Sequence, residues 1–285
     1  MHSSRIILFA ACLLPLWPTL AAQSPQAAEA PLPAVPQLMK EVQEHQKQLD
    51  KVRENYTYTS LLTIEEIDAN GQVKKTETKE IEVFFVNSRR IHRLVKKDGK
   101  PLDEQEQQKE TERVTKSVEK AEKPDQEKPG GNQVGVSRLL ELMDVRNERR
   151  EIYRGRAAIV FDFVGRKDAQ THGMAEDTSK KIQGTIWVDE ADREAVHLDV
   201  VFIDNFHIAG GLVASIQKGT NFHYDQAKVN GEIWLPTGAE SNLQARVLMV
   251  KGFHQHFTER DYDYKRFRVE AQQGKDSKVV VEKKP

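Results

Sequence analysis

NYTYTSLLTIEEIDANG, residues 55–71, decides the fold class. Tyr56, Tyr58, Leu62 and Ile64 fall on alternate positions, with Thr57, Thr59, Thr63 and Glu65 between them. A pleated backbone sends successive side chains to opposite sides, so this pattern predicts a strand with one apolar face. Asn70-Gly71 then offers two residues that tolerate positive φ, and the chain is expected to reverse there as a hairpin. The return strand places Val73, Ile81, Val83 and Phe85 on one face. A third strand runs through Ile91, Arg93 and Val95 to a turn at Asp98-Gly99, which completes an antiparallel meander.

Outward from the meander, Leu38, Val42, His45 and Leu49 recur at helical spacing and predict a helix over 36–53. Residues 103–128 are nearly all Glu, Gln, Lys, Asp and Thr, and read as a solvated helix to Lys120 followed by a linker through Pro124, Pro129, Gly130 and Gly131. Val136, Leu139, Leu140 and Met143 mark a short core-facing helix. Strands are then predicted at 146–153 and 156–165, turning at Arg154-Gly155, and at 182–189 and 194–204, with a polar loop over 166–181 between the pairs. Three long strands follow at 212–228, 231–248 and 248–269, where Leu243, Ala245, Val247, Met249, Phe253 and Phe257 share a face. The lack of βαβ alternation speaks against a parallel α/β sheet. The expected class is mainly β with helices (α+β): one large curved antiparallel sheet, a half-barrel, capped by about three helices.

Arg5, the apolar run Ile6–Leu20 broken by Pro15 and Pro18, and the small residues Ala21 and Ala22 describe a signal peptide over 1–22. Residues 23–35, rich in Ala, Pro and Gln, read as a disordered linker. A single domain over 36–270 follows, with the charged insertion at 103–133, and residues 271–285 read as a disordered tail. Cys12, the one cysteine, lies inside the signal, so disulfides and cysteine-based zinc sites are excluded from the mature chain. Lys plus Arg number 43 against 44 Asp plus Glu, a balance that speaks against a nucleic-acid partner. No second apolar run is long enough to cross a membrane.

Catalytic signatures are missing from the sequence: there is no G-x-S-x-G, H-E-x-x-H, P-loop or dinucleotide fingerprint. His254 and His256 share a strand face, but lie opposite the apolar set, beside Gln244 and Arg246; they are read as outer-face residues, not metal ligands. Asp189, Glu190, Asp192 and Glu194 are read as a charged hairpin turn. Trp187 and Trp234 are read as core anchors. His197, His207 and His223 are expected at the surface or at strand ends.

Four segments resemble the LolA-like superfamily of outer-membrane lipoprotein-sorting proteins. They are Gly184-Thr185-Ile186-Trp187-Val188-Asp189 with Glu194–Leu198 after it, Asn230–Thr237, Tyr264–Phe267, and the hairpin strand Arg154–Phe163. The resemblance covers most of 36–269, and its motifs mark strands and turns. It implies a half-barrel of about eleven antiparallel strands whose apolar concave side holds acyl chains, and a periplasmic location. The charged insertion and the polar N-terminal linker depart from a typical carrier, and the carrier's ligand-contacting arginine has no matching position here.

The expected function is that of an exported protein, periplasmic or secreted, holding a lipid, acyl chain or lipoprotein without cofactor, metal or catalytic group. Tyr58, Leu62, Ile64, Val83, Phe85, Val247, Met249 and Phe253 are expected to line its apolar interior. A second reading uses the same fold to bind an envelope protein, with residues 103–128 as the contact. A third, a metal-dependent hydrolase using His254 and His256, is disfavoured.

Overall fold

The structure, a computed structural model, describes residues 31–123, 138, 141–208, 213–247, 251–270 and 278–282. By packing, the chain divides between Pro31 and Leu32, and every element below belongs to the unit Leu32–Pro285. The order is α1 (Val35–Arg53), β1 (Tyr56–Ile67), β2 (Val73–Val86), β3 (Arg89–Lys97), β4 (Lys100–Pro101), α2 (Glu104–Glu122), β5 (Met143–Tyr153) and β6 (Arg156–Gly165). It continues with α3 (Met174–Ser179), β7 (Ile182–Asp189), β8 (Ala195–Phe202), β9 (Phe206–Ile208), β10 (Ala214–Ile216), β11 (Asn221–Val229), β12 (Ile233–Val247), β13 (Lys251–Glu270) and β14 (Lys278–Glu282).

All pairings among the described strands are antiparallel, in the order β4-β3-β2-β1-β13-β12-β11-β8-β7-β6-β5, with β9, β10 and β14 off this path. The sheet is open: β4 and β5 are its two ends and do not pair with each other. This is the expected class, a large antiparallel sheet with three helices among the described residues. No helix among the described residues is long and apolar enough to cross a membrane.

The hairpins close where the sequence supplies positive φ. Arg154-Gly155 adopts φ of 48° and 80°, and Asn230-Gly231 adopts 53° and 71°, the pairs that match the twist of the flanking strands. The reversal at Asn70-Gly71 is wider. There the Asp68 carboxylate accepts hydrogen bonds from the backbone N–H of Asn70 and of Gln72. Gly184 serves a different need: a Cβ there would lie 2.1 Å from the Asp199 carbonyl oxygen and 2.5 Å from the Phe163 ring, so only glycine lets these strands and that ring close together.

α1 lays the stripe Val35, Leu38, Met39 and Val42 on Ile159, Phe161 and Val188 of β6 and β7. All seven are buried, and each large aliphatic so covered contributes about 1.5–3 kcal/mol. A second cluster joins Tyr56, Ile233 and Leu235 with Val52 at the end of α1. α2 starts with a capping box, in which Asp103 accepts from the Glu106 N–H and Glu106 from the Asp103 N–H. It is docked on β3: Arg113 donates to the His92 carbonyl, and Glu110 accepts from the Leu94 N–H.

Several elements differ from the sequence reading. The loop over 166–181 contains α3, a single turn and a half that a 3.6-residue apolar period is too short to reveal. The strand expected over 212–228 is two strands, β10 and β11, because Gln217–Thr220 form a turn with Gly219 at φ 92°. Within the segment read as a tail, the β-branched run Val279–Val281 pairs with Val269, Arg268 and Phe267 of β13. In the segment read as a helix over 136–143, residues 136, 139 and 140 lie outside the described residues, and Leu142 is buried. The linker residues 124–131 also lie outside.

Candidate functional site

The register defines the inner face of the sheet, the one that α1 partly covers. Phe161 stands opposite Ile186, then Leu198, Tyr224, Ala239, Glu259 and Leu62 in one cross-strand row. The next row runs Phe163, Gly184, Val200, Phe222, Ser241, Phe257 and Ile64. At the β6–β7 end Phe161 and Ile186 lie under α1. Further along, Leu198, Val200, Phe257, Leu62 and Ile64 are half-buried, and Phe222 is 39% exposed. The face is therefore an apolar track with one half capped and the other half open to whatever packs on it.

The open half ends in charge. Glu259 and Asp261 lie on β13 at alternate positions, so both point to the inner face with Phe253 and Phe257. Arg90 of β3 reaches across and its Nη2 donates to Glu259 Oε1 at 2.6 Å. Ser60, opposite Asp261 in the register, gives its hydroxyl proton to the same Glu259 oxygen at 3.0 Å. Tyr58 lies beneath: the Arg90 guanidinium sits 5.5 Å from its ring centre, and Tyr264 and Phe85 pack around it at 5.4 and 6.3 Å.

What distinguishes this cluster is surplus hydrogen-bonding capacity. Tyr58 and Asp261 are 1% and 6% exposed, yet among the described residues the Tyr58 hydroxyl, both Asp261 carboxylate oxygens and Arg90 Nε find no partner within hydrogen-bonding geometry. Buried polar atoms normally do. Burial and the neighbouring Glu259 charge push the Asp261 carboxyl up to about 7. Burial also acts against Glu259, but Arg90 outweighs it and holds that carboxyl below the ordinary range. Burial raises Tyr58 well above a free phenol and Tyr224 to about 12. Arg90 and Asp261 act electrostatically on Tyr58, Tyr224 and Tyr264 alike, so the three phenols surround one charged node.

The residues expected to line the interior are placed unevenly. Tyr58 and Val83 face each other across β1 and β2 and are buried. Leu62, Ile64, Phe85 and Phe253 are half-buried, and Phe253 stands opposite Ala245. Val247, at the end of β12, is 37% exposed, and Met249 lies outside the described residues. The sequence reading missed Arg90, Glu259 and Asp261 as a site. Strand parity was the available signal: two acids fall in phase with Phe253 and Phe257, on the face meant to be apolar. Arg90 carried no such signal, because it joins them only through the pairing of β3 with β2 and of β2 with β1.

On the outer face His254 and His256 stand opposite Gln244 and Asn242. His256 is bracketed by Glu65 at 3.1 Å and Glu240 at 3.0 Å; burial opposes its charge, but these two hydrogen bonds outweigh burial and raise its pKa. The turn carboxylates are each engaged: Arg156 with Asp189 and Asp192, Arg150 with Glu190, and α1 with Glu194. Trp234 is buried, as expected. Trp187 is not a core residue: it lies half-buried on the outer face, its indole N–H donating to Glu151 at 2.9 Å and its ring 4.7 Å from His197. His197 lies half-buried in β8 on the same face, its two ring nitrogens 2.8 Å from Asp225 and 3.1 Å from Asp199.

No family model and no curated protein matches the chain. Among solved structures it is similar to an outer membrane lipoprotein-sorting protein domain from Vibrio parahaemolyticus, at 9% identity over 84% of this chain and 93% of that one, with a TM-score of 0.36. It is also similar to a DUF1329 family protein from Desulfovibrio piger, at 11% identity over 82% and 93% with a TM-score of 0.34. A third similar structure is that of MucB in complex with MucA(peri), at 10% identity over 78% and 94% with a TM-score of 0.23. The first bears the name of the family that the strand motifs resemble; at these TM-scores the likeness carries no argument about activity, which has to be read from the inner face itself.

Proposed function

We propose that the chain is an exported, periplasmic binding protein that holds a lipid, an acyl chain or a lipoprotein's acyl chains on the inner face of its sheet, without catalysis. The observation that carries this reading is the half-capped apolar track: α1 covers the β6–β7 end, while Leu198, Val200, Phe222, Phe257, Leu62 and Ile64 continue it with partial exposure. An acyl chain laid there contributes about 0.8 kcal/mol per buried methylene, so a modest length suffices for stable binding. The test is native mass spectrometry of the protein purified from the periplasm without detergent, followed by lipid extraction. A co-purifying phospholipid or acylated peptide is the expected result. An empty protein that also ignores a fluorescent fatty acid overturns it. The double substitution Leu62→Asp with Ile64→Asp should abolish binding of that fatty acid while the strand signal in circular dichroism persists.

The second reading, capture of an envelope protein, is favoured by one observation. α2 is rigidly seated on β3, yet Glu104, Gln108, Lys109, Glu112, Lys116 and Glu119 remain exposed on its other side. Deleting residues 104–122 should then remove a partner from envelope pull-downs and leave lipid binding intact; an unchanged pull-down discards this reading.

A further inference from the structure

The Arg90–Glu259 pair is the partly exposed layer of the charged node, with side chains 31% and 26% exposed. The unpartnered atoms form the layer beneath it. Their inventory is specific. Arg90 Nε–H and the Tyr58 O–H can donate, the Asp261 oxygens can accept, and one guanidinium faces two carboxylates. An anion alone would satisfy the donors but meet both carboxylates at close range. A cation alone would suit Asp261 but leave Arg90 Nε unpaired and be repelled by the guanidinium. A water would fill part of the need but brings no charge. A group carrying an ammonium and an oxyanion a few atoms apart answers both sides at once: the oxyanion accepts from Arg90 and Tyr58, and the ammonium donates to Asp261 and Glu259.

We propose that Tyr58, Arg90, Glu259 and Asp261 form the seat of a zwitterionic headgroup bearing a primary ammonium and an oxyanion, of the phosphoethanolamine type, whose apolar chain lies along the track from Leu62 toward Leu198. The headgroup enters by opening the Arg90–Glu259 pair, and its two charges replace the contacts that opening breaks. The proposal rests on the lipid-binding reading above and narrows it to a ligand class. The same chemistry could arrive as a lipid headgroup or as a free small zwitterion, and the experiment separates them.

Three lysophospholipids sharing one acyl chain, with ethanolamine, choline or glycerol headgroups, are titrated into the full-length mature protein by calorimetry, beside soluble phosphoethanolamine. The choline head keeps its positive charge but has no N–H to donate, and the glycerol head lacks the cation. The ethanolamine lipid should bind about tenfold more tightly than the other two, the size of effect expected when a charge-assisted hydrogen bond is lost. Asp261→Asn should remove most of that preference, because the ammonium loses its acceptor while the glycerol lipid's phosphate loses a repelling neighbour. Tyr58→Phe, which keeps the ring packing, should weaken all lipids with an oxyanion by a smaller factor. Equal affinity for the three heads, or a preference that survives Asp261→Asn, overturns the seat while leaving the acyl-chain reading intact. If no lipid binds, that broader reading fails. Binding of soluble phosphoethanolamine that is lost in Asp261→Asn then keeps the seat as a small-molecule site, and its failure to bind removes the seat as well.

Discussion

Glu194 and Asp261 are both buried carboxylates, and the fold treats them in opposite ways. Glu194, at the β7–β8 hairpin, is fully buried and meets three groups from α1: His45 Nδ1 at 3.2 Å, Gln46 Nε2 at 3.3 Å and the Arg53 guanidinium at 3.8 Å. Burial still raises its pKa, because these partners offset desolvation only in part. Asp261, on the open half of the same unit, is 6% exposed, and neither of its oxygens finds a hydrogen-bond partner of good geometry among the described residues. A partnered buried charge acts as a fastener between elements. An unpartnered one is a standing cost to stability, and such costs collect where a molecule binds something.

The comparison breaks most visibly at the fastener. Removing Glu194 takes from α1 the carboxylate that His45, Gln46 and Arg53 share, and taking one partner from a buried pair costs about 3–5 kcal/mol. Glu194→Ala should therefore lower the melting temperature by on the order of 10 °C, read by circular dichroism. A shift within the noise of the melting curve would mean that apolar contacts alone hold α1 down.

Asp261 should respond with the other sign. Its folded carboxyl titrates near 7, against an ordinary Asp at about 4. Between those values the folded chain holds more protons than the unfolded one. The stability this group contributes is fully present below the ordinary carboxylate range and is lost as pH rises through about 7, at up to about 1.4 kcal/mol per pH unit. Asp261→Asn has no such loss. Urea unfolding should show the variant gaining on the parent between pH 4 and pH 8, by about 1–2 kcal/mol after relaxation around the site. A variant that instead loses stability at pH 8 would show that Asp261 is a second fastener.

The smallest effect belongs to the outer face. His256, held above the ordinary imidazole range by Glu65 and Glu240, contributes stability that is present below that range and is lost as pH rises through its folded pKa. At a partly exposed pair this amounts to about 0.5 kcal/mol. Nuclear magnetic resonance of the imidazole should find the raised value, and Glu65→Gln should lower it.

The two carboxylates also show why the sheet was legible in the sequence and the node was not. Alternation along residues 55–71 and 243–257 gave strands, faces and turns, because local backbone geometry imposes a period of two on any half-buried strand. The helical stripe of α1 was equally local. α3 is too short to show a period, and the break at Gly219 looks in the sequence like one more polar position in a strand. The node needs the run β3-β2-β1-β13, and β13 reaches β1 from some 200 positions later in the chain. Only the registers of these three pairings together put Arg90, Ser60 and Glu259 on one spot, and no local pattern encodes a register between distant strands.

The open ends of the sheet have a consequence for assembly. A strand at a margin offers unpaired backbone groups on which a foreign strand could grow. At one margin β4 covers only Lys96 and Lys97 of β3, with two residues of which Pro101 has no N–H to give, and α2 takes the His92 carbonyl and the Leu94 N–H. β5 closes the other with Arg146, Glu148, Arg149 and Arg150 and with a bulge centred on Asn147 at φ 57°. Both margins are thus poor templates for strand addition.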